Sequence, residues 1–519
     1  MQEKRQIVRA TGIISSATFI SRILGLIRDM IISGYFGTGM ATDAFFIAFT
    51  IPNLLRRLLG EGSLTVSFIP VYTDYLTHQP QEAPRVVHVT GTVIALLLCT
   101  LTILGIILTP WIIKFQAFGW KDPSLIKLTI LLTRICFPYL FFIGLVALAM
   151  GVLNSHRHFA APALAPTLLN ISMIASILFL TPWINPPVLT LAIGVFIGGL
   201  TQILLQLPFL RAKGITFKIN IDLRHPALHR IAIMMAPMMV GIAAFQFNQV
   251  VNRFLASFLP QGSISYLYYA DRIFEFPLGL FAIALGVAVL PSFSRLVAEG
   301  KMEEFKVEVN FSLRAILFIT LPAMVGMIIL RVPILNLIFQ HGAFTYDSTI
   351  MSAQALLYYS FSIWAYGGIN VISRGFFALK DAKTPVKIAI VSLVANFLLG
   401  VVLMHPLRHG GLALANSLSA ILNVTLLAFY FHRKTSGLRL RELASSGLKI
   451  ALAIIPMSLA VLLIKNGCSW KESGGYGVKI PFLGGAIIAG IILFFLCSHL
   501  LRNKELRFLC EIFRRRHPL

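Results

Sequence analysis

The sequence predicts an all-α polytopic membrane protein of about fourteen transmembrane helices. Three observations carry that expectation. Of 519 residues, 57% are hydrophobic and only 12% charged, with a mean hydropathy of +0.83. Apolar runs of about 20 residues recur from end to end, the length a helix needs to cross a hydrocarbon core. Lys and Arg crowd one alternating set of connections and are sparse in the other, the pattern of the positive-inside rule. An outer-membrane barrel does not fit, because its strands give weak alternating segments of about ten residues. No soluble domain of useful size is expected outside the spans.

The runs fall at roughly 8–33, 43–73, 87–113, 125–153, 160–182, 187–210, 228–258, 264–293, 309–338, 348–378, 386–405, 410–432, 444–464 and 480–501. The first is too long and too interrupted by charge for a cleavable signal peptide, and it reads as the first span. An even count puts both termini on one side. Lys4, Arg5 and Arg9 precede the first run, and Arg502, Lys504, Arg507, Arg514, Arg515 and Arg516 follow the last. Arg211, Lys213, Lys218 and Arg224 fall in a connection on the same side, whereas the loops 34–42, 182–186 and 259–263 hold no Lys or Arg. Both termini are therefore expected in the cytoplasm, and the basic tail could touch anionic lipid. The net charge of +24 follows from this bias and does not indicate nucleic acid. Cys99, Cys136, Cys468, Cys497 and Cys510 are scattered and suggest neither disulfides nor a metal site.

Weak internal repeats share one shift. YFGTGM at 35–40 resembles SFLPQGS at 257–263, SFIPVY at 67–72 resembles AVLPSF at 288–293, and GVLNSHRHFAAP at 151–162 resembles GFFALKDAKTP at 375–385. The expected organisation is a six-helix lobe at 1–222, a second at 223–440, and two further helices with a basic tail at 441–519. Six is even, so both lobes would cross in the same direction, as in parallel-repeat transporters. Spans 13 and 14 are nearly charge-free and read as an appendage.

Charges inside the first two spans stand out against this background: Arg22, Arg28, Asp29, Asp43, Arg56, Arg57 and Glu61. A charge at membrane depth costs about 2.5–3.5 kcal/mol on insertion scales, so such residues normally face a bundle interior or a wet cavity. At about 100° per residue, Arg22 and Asp29 share a helix face and can pair. Arg57 and Glu61, four apart, form a natural pair, which leaves Arg56 without an obvious local partner. In the second lobe Asp271 and Glu275 lie one turn apart, with Arg272 about 100° round from Asp271. Pro52 and Pro277 interrupt spans 2 and 8, as expected where backbone opens around a cavity.

By repeat position, spans 1–2 correspond to 7–8. If the lobes face each other, Arg22, Arg28, Arg56 and Arg272 converge on one cavity, with Arg253 a further candidate. Arginine suits planar, bidentate recognition of phosphate. Partly offset by Asp29 and Glu275, these arginines match a diphosphate of about two to three negative charges. Blander readings stand beside this one. Arg57–Glu61 and Arg22–Asp29 serve equally as structural pairs. Arg134, Arg314 and Arg331 near span ends are expected to snorkel. Asp43 fits an N-cap of span 2, and His156 and His158 fit a solvated turn. No P-loop, nucleotide-binding glycine pattern, catalytic triad or metal-ligand spacing stands out, so neither an enzyme nor a bound cofactor is expected.

SRILGLIRD, GMATDAFFIAFTIPNLLRRLLGEG and SFIPVY resemble the MurJ (MviN) family of lipid II flippases, within the multidrug/oligosaccharidyl-lipid/polysaccharide exporter superfamily. So do APTLLNISMI (165–174), YYADRIFEFPLG (268–279), IFQHGAFT (338–345) and DAKTPVKIAIV (381–391). The resemblance runs the full length. It implies two lobes in a V, with spans 13 and 14 forming a groove for a polyprenyl tail. It implies transfer of undecaprenyl-diphosphate carrying the disaccharide-pentapeptide to the outer leaflet of the bacterial inner membrane. On it, Arg22, Arg28, Asp29, Arg56 and Arg272 are the cavity residues, and Asp43 lies near the outer gate. Some members hold sodium near spans 7 and 11. Gln246, Asn248 and Asn396 lie there, but with no clear carboxylate, so no sodium site is carried over. Expected partners are lipid II and membrane lipids, with cell-wall synthesis proteins as candidates, around a monomer. Competing readings are another exporter of the superfamily (a polysaccharide-lipid flippase or a drug/cation antiporter), a cell-wall scaffold, and a membrane glycosyltransferase or ligase. The arginine excess and the short loops argue against them.

Overall fold

The computed structural model describes residues 2–58, 63–279 and 283–506, which form α-helices and no strand. The chain divides into two compact units, 1–262 and 263–519. The first holds α1 (Gln2–Phe36), α2 (Met40–Leu58), α3 (Leu64–His78), α4 (Ala83–Gln116), α5 (Pro123–Cys136), α6 (Pro138–Ser155), α7 (Ala160–Leu180), α8 (Leu189–Ala212) and α9 (Pro226–Ala256). The second holds α10 (Ser263–Pro277), α11 (Ile283–Ala298), α12 (Met302–Phe339), α13 (Tyr346–Ser360), α14 (Ile363–Ala378), α15 (Lys383–Leu407), α16 (His409–Thr435), α17 (Leu440–Asn466) and α18 (Tyr476–Leu500).

Among the described residues every expected run is mostly helical, and the runs at 125–153 and 348–378 are each two consecutive helices; those at 43–73 and 264–293 each hold two helices with residues outside the described ones between them. Among the described residues, nine helical stretches are long and apolar enough to cross a bilayer. The breaks have local causes. Pro138 follows Phe137 at the α5–α6 junction, where a residue without an N–H starts a helix but cannot continue one. Pro277, expected to interrupt span 8, is the last α-helical residue of α10, and 278–279 continue as π-helix. Pro52, by contrast, sits inside α2, which runs on to Leu58. Side chains set several starts: Asp122 accepts the Ser124 N–H at 2.8 Å ahead of α5, and His225 Nδ1 accepts the Ala227 N–H at 3.2 Å ahead of α9.

The order of intact and broken helices recurs. A long helix (α1, α9) is followed by two shorter ones separated by residues outside the described ones (α2 and α3, α10 and α11), a long helix (α4, α12), a broken pair (α5–α6, α13–α14) and two intact helices (α7–α8, α15–α16). The turns after α6 and α14 match in detail. Arg157 and Lys380 both take φ 58°. The N–H groups of Arg157 and His158 bond the carbonyls of Asn154 and Leu153, and those of Lys380 and Asp381 bond Phe377 and Phe376. This is the Schellman way of ending a helix. The packing division falls one helix later than the repeat boundary expected near 222. A repeat is defined by the order of its elements and a compact unit by its packing, so neither fixes the other.

These turns also show side chains that the sequence placed in solvent. His156 Nε2 lies 3.1 Å from the Tyr72 hydroxyl, and the His158 ring stacks on Phe209 at 4.7 Å. Burial, then the nearby Lys213 charge, holds both imidazoles below their ordinary range. In the matching turn of the second unit, the Lys434 ammonium 2.6 Å from Asp381 holds that carboxyl down at about 2.

α17 and α18 are more than a greasy appendage. Their apolar faces, with Ile450, Ala453, Met457, Leu483 and Phe494, do pack on Phe318 and Leu330 of α12. Both ends of the assembly are polar, however. Lys479, expected just outside the run at 480–501, lies inside α18 and is 5% exposed, because that helix starts four residues before the run. Its ammonium donates to Asn336 Oδ1 at 2.9 Å and to the Glu472 carbonyl. Asn336 Nδ2 donates to the Trp470 carbonyl at 3.0 Å, and Gln340 Nε2 to that of Lys471 at 2.7 Å. At the other end Arg314, expected to snorkel, lies 3.2 Å from Glu442 and 3.4 Å from the buried Glu505. Arg134 and Arg331 donate to the carbonyls of Ile106 and Ile328.

Asn336→Leu should therefore destabilise the protein by about 3 kcal/mol, because it strips an acceptor from a buried ammonium. Adding Lys479→Met should recover much of that loss, since an apolar pair replaces a stranded charge. Thermal unfolding of the two variants in detergent, compared with the parent, checks this.

Candidate functional site

In the first unit, the candidate residues of α1 lie where that helix packs on α7. Arg28 and Asp29 of α1 are 8% and 2% exposed. The Arg28 guanidinium donates to Asp29 Oδ1 through Nε at 3.0 Å and Nη2 at 2.7 Å. Its Nη1 donates to Asn170 Oδ1 at 3.0 Å, and Asn170 Nδ2 donates to the Ser21 carbonyl at 3.0 Å. One α7 side chain thus ties the guanidinium to the backbone of α1 two turns away. The Arg22–Asp29 pair expected from spacing is not the one formed: Asp29 binds Arg28, and Arg22 lies exposed on α1. Face-sharing seven residues apart misses this, because a long arginine can fold onto its own neighbour when both are pressed against a second helix. A Cβ on Gly25 would meet Asn170 at an ordinary 3.8 Å, so the approach of α7 does not require glycine there.

On α2, Arg56 does have a local partner: its Nε donates to Asn53 Oδ1 at 3.0 Å, three residues back. Arg57 is half-buried, and Glu61, its expected partner, lies outside the described residues. Asp43 stands in the first turn of α2 and is 3% exposed. It stands inside α2, which starts at Met40, and not at the N-cap expected for it, and its Oδ2 accepts the Gly262 N–H at 2.6 Å. Gly262 takes φ 88°, a conformation that favours glycine. Nearby, Arg253 of α9 donates to the Phe46 carbonyl of α2 at 3.0 Å, so it joins this packing between helices.

In the second unit, α10 carries Asp271, Arg272 and Glu275. Arg272 pairs with Glu275 at 3.3 Å, and its guanidinium lies 5.4 Å above the Tyr268 ring. Ring, carboxylate and guanidinium sit within about two turns of one helix, which fixes the plane of the guanidinium. Asp271 is half-buried on the same helix. Gln246 and Asn396 are buried in α9 and α15. Among the described residues no group of three His, Cys, Asp or Glu could hold a metal ion.

Long apolar helices in both units, with arginines held by acids, amides and a ring, define a multi-span membrane transporter. Its fold is shared with a multidrug resistance MATE family transporter of the MOP superfamily in an inward-facing conformation, at TM-score 0.67 and 15% identity, covering 80% of this chain and 95% of that one. The sequence carries the assignment further. The chain belongs to the lipid II flippase MurJ family, whose family model matches residues 32–478. It is 34% identical to the probable lipid II flippase MurJ of Vibrio cholerae serotype O1 over 97% of this chain and 98% of that protein. It is 36% identical to the lipid II flippase MurJ of Burkholderia cenocepacia over 81% and 82% of the two chains. The solved structure titled "Lipid II flippase MurJ, inward closed conformation" matches at TM-score 0.78 and 29% identity, covering 94% of this chain and 98% of that one. This is a transporter family, and the chain is not an enzyme.

Proposed function

We propose that this protein carries lipid II from the cytoplasmic to the outer leaflet of the bacterial inner membrane by alternating access. The observation that carries this reading is the full-length kinship with lipid II flippases, 97% of the chain against one relative and 94% against a solved structure. Both termini face the cytoplasm in this reading, following the bias of Lys and Arg.

The residues have distinct parts. Arg28, Arg56 and Arg272 bind the diphosphate, with Arg22 at the cavity edge. Planar guanidinia held by neighbours offer paired N–H groups to phosphate oxygens with little ordering left to do. Asp29 and Glu275 hold Arg28 and Arg272 in place and temper the positive charge, so that release stays possible. Asp43 supports the outer gate through the Gly262 N–H. Asp271, Arg57 and Glu61 are supporting residues. Spans 13 and 14 guide the lipid tail. Net positive charge in the empty carrier couples its return to the membrane potential, at about 2.3 kcal/mol per charge per 100 mV. A drug/cation antiporter would want carboxylates and aromatics where these arginines stand.

Depletion of the protein in cells, followed by assigning lipid II to a leaflet, tests the reading. Accumulation on the cytoplasmic side is expected. Accumulation on the outer side would overturn it.

A further inference from the structure

The connection from α8 to α9 holds no helix over residues 215–222, and 223–224 form a turn. Its alternate side chains face differently. Ile215 is buried, and Phe217 packs over Gly91 of α4, with ring atoms 3.4 Å from where a Cβ on that glycine would stand. Past Lys218 the same apolar row leaves the protein. Ile219, Ile221 and Leu223 are 87%, 66% and 71% exposed. Few large apolar side chains in the molecule are as open as Ile219, and those on helices are accounted for as lipid-facing.

The opposite row fastens the segment along α4. The Thr216 carbonyl lies 2.7 Å from His88 Nε2, the Asn220 N–H donates to Thr92 Oγ1 at 2.9 Å, and Asp222 pairs with Arg85 at 3.1 Å. Those anchors fix its depth. The apolar stretch of α4 begins near residue 87, and Thr92 lies about 8 Å further along it at 1.5 Å per residue. At Asn220 the segment therefore runs beside apolar helix surface, and at Asp222 it has turned back toward the start of α4, where Arg85 stands. Lys218 and Arg224 are exposed and flank the apolar row on either side.

We propose that residues 218–224 form an interfacial anchor, with Ile219, Ile221 and Leu223 inserted into the bilayer and Lys218 and Arg224 reaching lipid phosphates. Lipid fits better than a protein partner. Asn220 is held against the apolar part of α4, which sets Ile219 and Ile221 at the edge of that apolar surface, and basic residues beside an apolar edge are the composition that binds an anionic leaflet. The segment joins α8 to α9 near the boundary between the two repeats. It would hold that joint at a fixed depth. The proposal rests on the chain being embedded in a membrane and not on what it transports.

Spin labels on single cysteines test it, in full-length protein lacking its native cysteines and reconstituted in nanodiscs of phosphatidylethanolamine and phosphatidylglycerol. Labels in Ile219→Cys, Ile221→Cys and Leu223→Cys should collide mainly with oxygen, and labels in Lys218→Cys and Arg224→Cys mainly with an aqueous nickel complex. Nickel access throughout would overturn the proposal. So would a row that is wet in nanodiscs but shielded in native membrane vesicles, because a protein would then be its occupant. Replacing phosphatidylglycerol by phosphatidylcholine should raise nickel access at the apolar row. No change would remove the role assigned to Lys218 and Arg224.

Discussion

Cells whose only copy of this protein carries Arg28→Ala should fail to grow, although the protein is present in the membrane. The alanine removes a guanidinium that three hydrogen bonds aim, two to Asp29 and one to Asn170. It also takes the paired cation from Asp29, which is 2% exposed. Breaking a buried pair from one side typically costs about 3–5 kcal/mol, so loss of growth alone would not separate binding from folding. Two further variants separate them. Arg28→Ala with Asp29→Asn removes both charges of the pair, so its thermal stability should return toward the parent while growth stays lost. Arg28→Lys keeps the charge but gives up the planar fork, and growth should return only in part. Full growth of the double variant would refute an anion-binding role for Arg28, since no cation would remain at the position.

Fold and site were legible to different degrees, for physical reasons. Helices in a bilayer must be long and apolar, so their positions can be read from composition alone. Where a helix breaks is harder. Pro138 starts α6 inside a run that hydropathy reads as continuous, Pro277 is followed by π-helix, and Pro52 does not end α2. Hydropathy cannot see any of these differences. Charges at depth were legible as anomalies, and Arg28, Asp29 and Asp43 are indeed buried. Their partners were not. Asn170 lies 142 positions from Arg28, and an amide in an apolar helix gives no sign of which guanidinium it meets. Asn53 and Tyr268 were within reach. They stand three and four residues before Arg56 and Arg272, the spacing already used for Arg57 and Glu61, but neither is charged. Lys479 was misread because its charge outweighed its place. A buried ammonium needs acceptors, and Asn336 and the Glu472 carbonyl supply them from elements far away in the chain.

Asp43→Ala should abolish growth, and Asp43→Asn should weaken it without abolishing it. The carboxylate stands 2.6 Å from the Gly262 N–H, and both residues are buried. Alanine would leave that N–H without this acceptor, at about 1–3 kcal/mol. Asparagine keeps an acceptor of the same shape but loses the charge, and hydrogen bonds to a neutral acceptor are roughly half as strong. The order of growth, parent above Asn above Ala, therefore follows if the tether is what matters. If Asp43 acted on a transported ion through its charge, Asn would be as inactive as Ala. The growth rates of the two strains at equal protein level decide between these roles. Asp43 sits at the start of α2, and Gly262 closes the loop that follows α9. A graded response would make the carboxylate a hinge pin, holding that loop to α2 and setting how readily this end opens.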